Sequence, residues 1–542
     1  MKLKIFAILL LGGSLVSNAQ GYKDGIEYFK VGKIDNAKEL LDKNLNNSTT
    51  VKSQAYCYLG HIEASKGNVA GARDFYNKGV AADANDPFNY IALGALDLKA
   101  NNEKAAEEQF KTALKLDKKN ASVYAAIARA YYDANPTTYA KVIAKNIEKA
   151  RKTNAKDPDV YILEGDMKAA EKDYGGAAGQ YELAFTYEPD NEEAYVKYAN
   201  TYFNVNPAMA TERLEELVAK NPNSALAQRE LAEKYYERDL GSKAAEQYGK
   251  YIKNPNHFKQ DEIRYVQLLF FGQKYQESFD LASKIRSAVA AGDKDNFFMC
   301  RMQLYNMVAL QNWTEAEKFG AELFGLNIPG TEYASKDYVD YATALKNVGK
   351  AAESVAQYEK AVEVNPNNLD LVRDLVDVYD EAQNFEKAAI YYQKIVDSEE
   401  CKANDLYVMS TKYFNLAVTT EDAAKKASAI EGARKYAAMA NERVPGNYRI
   451  VQQQAKVESL AGNNDEAVKF YNATIDILNE KENGKVEYKD VYISIYGNLA
   501  RMAFDKGDTA GAKEYYLKWL EVDPSNDALR KYVEGLKWYD YS

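Results

Sequence analysis

Small and aromatic side chains follow a pattern along this chain that returns about every 34 residues. Four residue pairs carry it: Gly60 and Gly94, Ala72 and Ala106, Tyr76 and Phe110, and Gly79 and Ala113. Glycine or alanine at fixed places lets two helices approach closely, and the aromatic rings fill the space beside them. The pattern therefore predicts a short unit of two packed helices that is copied many times.

The repeated positions resemble the tetratricopeptide repeat, whose pattern has small residues at positions 8 and 20, aromatic residues at 11 and 24, and proline at 32. The second unit matches it with Tyr56, Leu59, Gly60, Ala72, Tyr76 and Gly79, and later units add the proline, as at Pro189 and Pro366. The resemblance extends from about Tyr22 to Lys537. It implies an all-α fold, an α-solenoid that forms a right-handed superhelix of helix hairpins, with a concave groove that holds peptides or partner proteins.

The residue at position 20 marks about fourteen units along the chain, of which those near Ile143, Thr211 and Ser278 fit weakly. No flexible linker accompanies the insertions between units, so we expect one elongated solenoid. A division near residue 290 would give an N-terminal half, 20–290, and a C-terminal half, 291–525. The last segment, 526–542, is predicted to be a capping helix that closes the end of the stack.

The first residues are typical of a secretory signal peptide. Lys2 and Lys4 precede an apolar run from Ile5 to Leu11, and small residues lead up to Ala19. The pattern predicts cleavage after Ala19, which would remove residues 1–19. No later stretch has the roughly 18 apolar residues of a membrane helix. We therefore expect a mature protein of the bacterial periplasm that is not inserted in the membrane.

Charge and chemistry narrow the function further. The formal charge of -10 becomes -12 once Lys2 and Lys4 are removed, which disfavours nucleic acid as a partner. Histidine occurs only at positions 61 and 257, and the known catalytic, metal-binding and phosphate-binding motifs do not occur. His61 falls at a groove position, where a lone histidine is more simply a packing residue. We therefore predict a protein that is not an enzyme and that uses no metal or cofactor.

In the tetratricopeptide family the groove is lined by positions 2, 5, 9 and 12 of the first helix of each unit. Carried over by the resemblance, the candidate partner-binding residues are Arg129, Tyr132, Asn200, Phe203, Arg229, Tyr236, Phe270, Arg301, Tyr305 and Phe414. Aromatic residues at position 12 exceed what the packing core requires, and with Arg and Asn they would suit an extended polypeptide. In the alternative interpretation, these rings bridge to the neighbouring unit and complete the core.

The hypothesis from sequence is a non-catalytic scaffold that binds another exported or outer-membrane protein, or a peptide, in its groove. A glycan or oligosaccharide binder is the alternative, because stacked Tyr and Phe beside Asn and Arg also suit sugars. The two hypotheses differ in geometry. A sugar needs rings in one compact cluster, whereas a polypeptide would contact several consecutive units.

Overall fold

The computed structural model describes residues 21–481 and 484–535, so the predicted signal peptide lies outside the described residues. Within this part the regular structure is entirely α-helical, with thirty helices in succession. Contacts between them divide the chain between Leu310 and Gln311 into two units. The predicted all-α array of helix pairs is confirmed, whereas the assignment of two domain halves stays a prediction.

The first unit contains eight helix pairs, in which the first helix is called helix A and the second helix B, followed by one more helix. Its helices are α1 (Gly21–Lys30), α2 (Ile34–Asn44), α3 (Lys52–Ser65), α4 (Val69–Ala82), α5 (Pro87–Lys99), α6 (Glu103–Leu116), α7 (Ala121–Ala134), α8 (Ala140–Thr153), α9 (Pro158–Ala170), α10 (Tyr174–Tyr187), α11 (Glu192–Tyr202), α12 (Pro207–Lys220), α13 (Ala225–Glu237), α14 (Gly241–Tyr251), α15 (Asp261–Phe271), α16 (Tyr275–Ala288) and α17 (Lys294–Ala309).

The second unit begins with one helix and continues with five pairs. Its helices are α18 (Trp313–Gly325), α19 (Ser335–Asn347), α20 (Ala351–Val364), α21 (Leu369–Glu381), α22 (Phe385–Val396), α23 (Ala403–Thr419), α24 (Ala423–Arg443), α25 (Tyr448–Leu460), α26 (Asn464–Asn479), the single turn α27 (Gly484–Glu487), α28 (Lys489–Asp505), α29 (Thr509–Val522) and α30 (Asp527–Gly535). The ninth repeat thus contributes α17 to the first unit and α18 to the second. Within the described chain this agrees with the predicted count of about fourteen units.

Most described turns from helix A to helix B use a residue with positive φ. It is glycine at Gly32 (83°) and Gly67 (78°) and a larger residue in others, as at Asn101 (57°). Glycine has no Cβ and adopts this conformation without strain. In the second repeat Asn68 follows directly, and its side chain accepts a hydrogen bond of 3.0 Å from the backbone N–H of Gly71. This bond satisfies a free donor at the start of α4 and fixes where helix B begins.

A small residue of helix A lies against an aromatic ring of helix B in each well-formed pair. A Cβ atom added to Gly94 would lie 2.5 Å from Cε1 of Phe110, and one added to Gly165 would lie 2.5 Å from Cε1 of Tyr181. Both rings are buried, with 4% and 2% of their surface exposed. The ring occupies the space that any side chain at the glycine would need, which is why glycine recurs at position 8.

The described chain ends at α30, inside the segment predicted to cap the stack. Its Tyr532 ring meets the Tyr516 ring of α29 edge to face, with centroids 5.5 Å apart. Residues 536–542, the rest of that segment, lie outside the described residues. Among the helices of residues 21–481 and 484–535, none combines the length and the apolar character that a bilayer crossing requires.

Candidate functional site

The first helix pair of the first unit contacts later repeats of the same unit. Nδ2 of Asn256 donates a hydrogen bond of 2.6 Å to Oδ2 of Asp24, although 232 residues separate them in sequence. The rings of Tyr28 and Phe258 meet edge to face, with centroids 5.3 Å apart. Helix α1 also packs against α11 and α13. We call these contacts the closing interface, because they join the first repeat to repeats six to eight and close this part of the unit into a ring.

Buried carboxyl groups lie at the closing interface. Burial raises the pKa of Asp24 to about 7, although the hydrogen bond from Asn256 counteracts this effect. Burial, reinforced by the charges of Glu27 and Asp24, raises the pKa of Glu192 to about 8. Oγ of Ser224 donates a hydrogen bond of 2.7 Å to Glu192. The interface therefore favours the protonated, neutral form of these two acids at pH values where exposed carboxyl groups are ionised.

The ring borders a partly open cavity of about 570 Å³, which we call the chamber. Its size falls within the range of small-molecule sites. The chamber is lined by helices A of repeats one to six, and its apolar wall consists of Phe29, Tyr58, Ile91, Leu96, Ile162 and Leu163. Three groove positions on this wall carry alanine: Ala64, Ala95 and Ala125. Most later repeats have larger side chains at these positions, although Ala169 stands at position 12 of the fifth repeat. The alanines on the chamber wall therefore leave the space open.

An ion-pair network lies on one side of the chamber around Asp166. Nη2 of Arg129 and Nζ of Lys197 lie 2.5 and 2.7 Å from Oδ2 of Asp166, and the hydroxyl of Tyr181 donates a hydrogen bond of 2.7 Å to Oδ1. Burial alone would raise the pKa of Asp166, but the charges of Lys197 and Arg129 outweigh burial and lower it. Lys197 also pairs with Glu193 at 2.9 Å. These two cations are therefore neutralised within the protein.

Charged residues at the two ends of the lining helices differ from this network. Asp159 is the second residue of α9, Lys99 is the last residue of α5, and Asp133 is the last but one of α7. Within the described part of the chain, none of the three has an ion-pair partner at 4 Å or less. Burial raises the pKa of Asp159 to about 6, with Lys30 only partly counteracting it. One end of the chamber thus carries Asp159, and the other carries Lys99 together with Asp133. Burial raises the pKa of Asp133, and the charges of Arg129 and Lys99 counteract this effect.

His61 lies on the chamber wall as a neutral residue. Burial lowers its pKa to about 4, and its Nδ1 is 2.9 Å from the hydroxyl of Tyr76. The Phe29 ring stacks on the imidazole with centroids 5.7 Å apart. Because the ring is neutral and already hydrogen-bonded, it contributes shape and packing to the wall.

The residues predicted from sequence lie in several places. Arg129 lines the chamber, and Tyr132 on the same helix packs half-buried against the core of repeats three to five. Asn200 is exposed on α11. Phe203 is half-buried, and Nζ of Lys234 in the next repeat lies 4.6 Å from its ring centroid.

The same arrangement continues along the following repeats. The guanidinium carbon of Arg264 lies 4.4 Å from the ring centroid of Tyr236, and the Phe270 ring lies 6.1 Å from that of Tyr305. We call Phe203, Tyr236, Phe270 and Tyr305 the aromatic ladder. Each of the first three contacts the next repeat, as the bridging interpretation expects, yet all four remain half-exposed. Their role in binding a partner stays a prediction.

The remaining predicted residues are placed separately. Nε of Arg229 lies 2.8 Å from Oδ2 of Asp261, and its side chain is 17% exposed, so it joins two neighbouring repeats. The guanidinium of Arg301 lies 4.8 Å from the Phe297 ring centroid. Phe414 is half-buried on α23 and belongs to the second unit. Within the first unit, the structure brings Phe203, Tyr236, Phe270 and Tyr305 into one row and leaves Arg129 in the chamber.

Sequence reasoning missed the charged ends of the chamber, at Lys99, Asp133 and Asp159. The groove positions chosen as candidates carry large side chains, whereas the chamber exists because other groove positions carry small ones. Alanine at Ala95 and Ala125 is the local signal that was present. The ring closure itself has no signal within one repeat, because its partners are more than 160 residues apart in sequence.

Comparison with known families supports the repeat assignment. A tetratricopeptide-repeat model matches residues 22–87 and 340–404, and a second one matches residues 493–526. No curated protein matches the chain.

Solved structures of several repeat proteins are similar to the chain. The C-terminal part of a repeat protein from Cytophaga hutchinsonii is 18% identical, with 50% of this chain and 98% of that chain covered and a TM-score of 0.37. A repeat protein from Parabacteroides merdae is 14% identical, with 54% and 98% covered and a TM-score of 0.28. One from Thermus thermophilus is 18% identical, with 38% and 100% covered and a TM-score of 0.26. The family models thus match three stretches of the helical array, near both of its ends and in its middle, as tetratricopeptide repeats.

Proposed function

We propose that this chain is a non-catalytic scaffold of the bacterial periplasm that binds an exported or outer-membrane polypeptide along the aromatic ladder. The observation that carries the proposal is a row of half-exposed rings in four successive repeats. Phe203, Tyr236 and Phe270 stand at position 12 of their repeats, and Tyr305 stands at position 9 of the next. Adjacent packed helices lie about 8–10 Å apart, and an extended chain advances about 3.3 Å per residue. A bound polypeptide would therefore present roughly one side chain in three to each ring.

A cation beside each of two ladder rings adds polar recognition to this surface. Lys234 lies over Phe203 and Arg264 lies over Tyr236. Nη2 of Arg264 is also 2.7 Å from Glu233, so its charge is already balanced. A neutral or mildly acidic extended peptide suits such a surface, because the rings bury its side chains and guanidinium N–H groups hydrogen-bond its carbonyl oxygens.

Site-specific photocrosslinking in the producing cell tests this proposal. A photoreactive phenylalanine in place of Tyr236 should trap one discrete polypeptide, whereas the same group in place of Tyr174, exposed on helix α10, should not. The double variant Tyr236→Ala with Phe270→Ala should lose that partner while its circular dichroism stays helical. Equal recovery of the partner by the folded double variant would overturn the proposal.

The location has its own test. Sequencing of the amino terminus of the mature protein should begin at Gln20, and the protein should fractionate with periplasmic contents. A chain that still begins at Met1, or one found in the cytoplasmic fraction, would contradict export while leaving the ladder proposal intact.

One observation favours the glycan alternative for the second unit. The Phe324 ring has three tyrosine rings around it, with centroid distances of 4.8 Å to Tyr333, 4.7 Å to Tyr338 and 5.5 Å to Tyr341. This is a compact cluster of the kind that stacks on sugars. A glycan array would support this alternative if it finds ligands that the Tyr338→Ala variant no longer binds.

A further inference from the structure

A thiol and an imidazole meet on the chamber wall, and the proposed scaffold function uses neither of them. Sγ of Cys57 lies 3.6 Å from Nε2 of His61, one turn further along α3. Both residues line the chamber, and the cysteine forms no disulfide. Thiolate sulfur and imidazole nitrogen are ligands that soft metal ions prefer. Because a spacing of four residues places both side chains on one face of the helix, a single ion can reach both donor atoms.

The imidazole of His61 is held in the orientation that a metal ligand needs. Its Nδ1 lies 2.9 Å from the hydroxyl oxygen of Tyr76, and the rings of Phe29 and Tyr58 pack on it with centroids 5.7 and 5.5 Å away. With an ion on Nε2, the ring hydrogen lies on Nδ1 and is donated to the Tyr76 oxygen. A partner of this kind fixes the tautomer and the orientation of metal-binding histidines. The contact with Tyr76 therefore keeps Nε2 directed at the sulfur.

The distance between the two donor atoms suits an ion between them. With the bond lengths known for zinc, roughly 2.3 Å to sulfur and 2.0 Å to imidazole nitrogen, a straight arrangement places the donors about 4.3 Å apart. The 3.6 Å between Sγ and Nε2 corresponds to a bent arrangement, and a rotation about the Cα–Cβ bond of Cys57 can lengthen it. The partly open chamber beside the pair gives the ion a path of entry.

The number of ligands argues against a zinc ion at this pair. Structural zinc sites use four protein ligands, and catalytic ones use three. The described residues contain no group of three or more His, Cys, Asp or Glu side chains that could hold a metal ion. An ion bound here must therefore accept one sulfur and one nitrogen as its only protein ligands. Cu(I) binds soft donors and accepts such low coordination numbers.

The apolar surroundings of the sulfur favour a monovalent ion for a second reason. Cys57 is 3% exposed and packs with Ala72, Ala92 and Leu96, where an uncompensated charge is costly. When Cu(I) binds, the S–H bond breaks, the proton leaves to solvent and an S–Cu bond forms, so the net charge of the site does not change. A divalent ion would add one positive charge. We propose that Cys57 and His61 bind one Cu(I) ion at the chamber wall.

This site is separate from the aromatic ladder, so either proposal can fail without the other. Titration of the mature chain, residues 20–542, with Cu(I) under nitrogen tests it, with ferrozine as the competing chromophoric chelator. The protein should withdraw one ion per chain from the chelator, and X-ray absorption at the copper edge should show one sulfur and one nitrogen ligand. A failure to withdraw Cu(I), or an ion with two sulfur ligands, would overturn the proposal.

Three single variants assign the ion to the pair. Cys57→Ala and His61→Phe each remove a ligand and should weaken binding by more than the roughly 10–100-fold that loss of a ligand's hydrogen-bond partner costs. Cys401→Ala is the matched control, because Asp405 rather than a histidine lies four residues after this cysteine; its affinity for Cu(I) should equal that of the unaltered protein. Unchanged affinity in folded Cys57→Ala protein would overturn the proposal.

The variant Tyr76→Phe tests the orientation of the imidazole and keeps the proposal falsifiable if a ligand variant does not fold. It leaves a ring in the space beside Gly60 and removes only the hydroxyl group. The affinity for Cu(I) should fall at least about tenfold, because Nδ1 loses its partner. Unchanged affinity would show that the imidazole is not the ligand that the geometry assigns, and would overturn the proposal.

Discussion

The two units are built from the same repeat, yet their contacts reach very different distances along the chain. In the first unit a hydrogen bond joins Asp24 to Asn256, 232 residues away. In the described part of the second unit, helices pack mainly against helices of the same or the next repeat. Its longer side-chain hydrogen bonds accordingly span about one repeat, as the 43 residues between Tyr436 and Gln393. The second unit is thus a linear array in which each repeat contacts its neighbours, and the first unit contains a closed ring.

Because of this difference, the two units should respond differently to destabilising substitutions. In a linear repeat array, stability is approximately a sum of repeat and nearest-neighbour terms, so a local change stays local. A ring adds one contact between repeats that are distant in sequence. The entropy lost on closing such a loop rises only slowly with the length of the loop. The loss of the closing interface should therefore affect repeats one and seven together, which no sum of neighbouring terms predicts.

Among the substitutions that test this difference between the units, Tyr28→Ala should destabilise the first unit most. Tyr28 is fully buried and meets the Phe258 ring, and removal of a buried aromatic side chain costs about 3–5 kcal/mol. Hydrogen exchange should accelerate in α1 and also in α13 to α15. The control Tyr379→Ala removes a ring that is 1% exposed in the second unit and should affect only its neighbouring repeats. Unchanged exchange in α13 to α15 would show that the ring does not couple these repeats.

A rise in pH should weaken the closing interface by a few kcal/mol at most. The pKa values of Asp24 and Glu192 are raised to about 7 and about 8 from ordinary values near 4. The folded form therefore keeps protons that the unfolded chain loses, so their contribution is complete below about pH 4 and is lost as pH rises through 7 and 8. Glu27 repels both groups, and Lys30 partly offsets this at Glu192.

The measurement is hydrogen exchange of α1 and α2 at pH 6 and pH 8.5, corrected for the intrinsic rate. Protection should fall at the higher pH, and the variant Asp24→Asn should reduce the difference because it removes one of the titrating groups. Helices of the second unit serve as the internal control. An equal pH dependence in Asp24→Asn and in the unaltered protein would contradict the role assigned to this carboxyl group.

Gly94→Ala should be less disruptive and should act within its own repeat. The added Cβ would lie 2.5 Å from the Phe110 ring, which has to move, and such overpacking costs about 1–3 kcal/mol. Gly179→Ala is the matched control, because that helical glycine has open space around it; the substitution should be neutral or stabilising. The melting temperatures of the two variants show whether an added methyl group acts through contact with the Phe110 ring or through helix propensity.

The contrast between Gly94 and the closing interface explains what the sequence could predict. Gly94 and Phe110 are 16 residues apart, and their spacing recurs in other repeats, so pattern alone predicted the helix pair and its interlocked side chains. Asp24 and Asn256 occur once each in their roles, and no period relates them. The chamber was therefore not predictable from the repeat, because it depends on a contact between distant repeats and on small residues at groove positions.

The smallest effect should come from the outer face of the first helix pair. Nζ of Lys38 lies 2.5 Å from Asp42 on α2, with both side chains substantially exposed. Exposed pairs at this spacing contribute only about 0.3–0.5 kcal/mol, because water screens them. Lys38→Gln should therefore leave exchange in α13 to α15 unchanged, although it lies in the same helix pair as Tyr28. If this variant opened the ring as Tyr28→Ala does, the coupling would arise from general instability of the first repeat rather than from its buried closing interface.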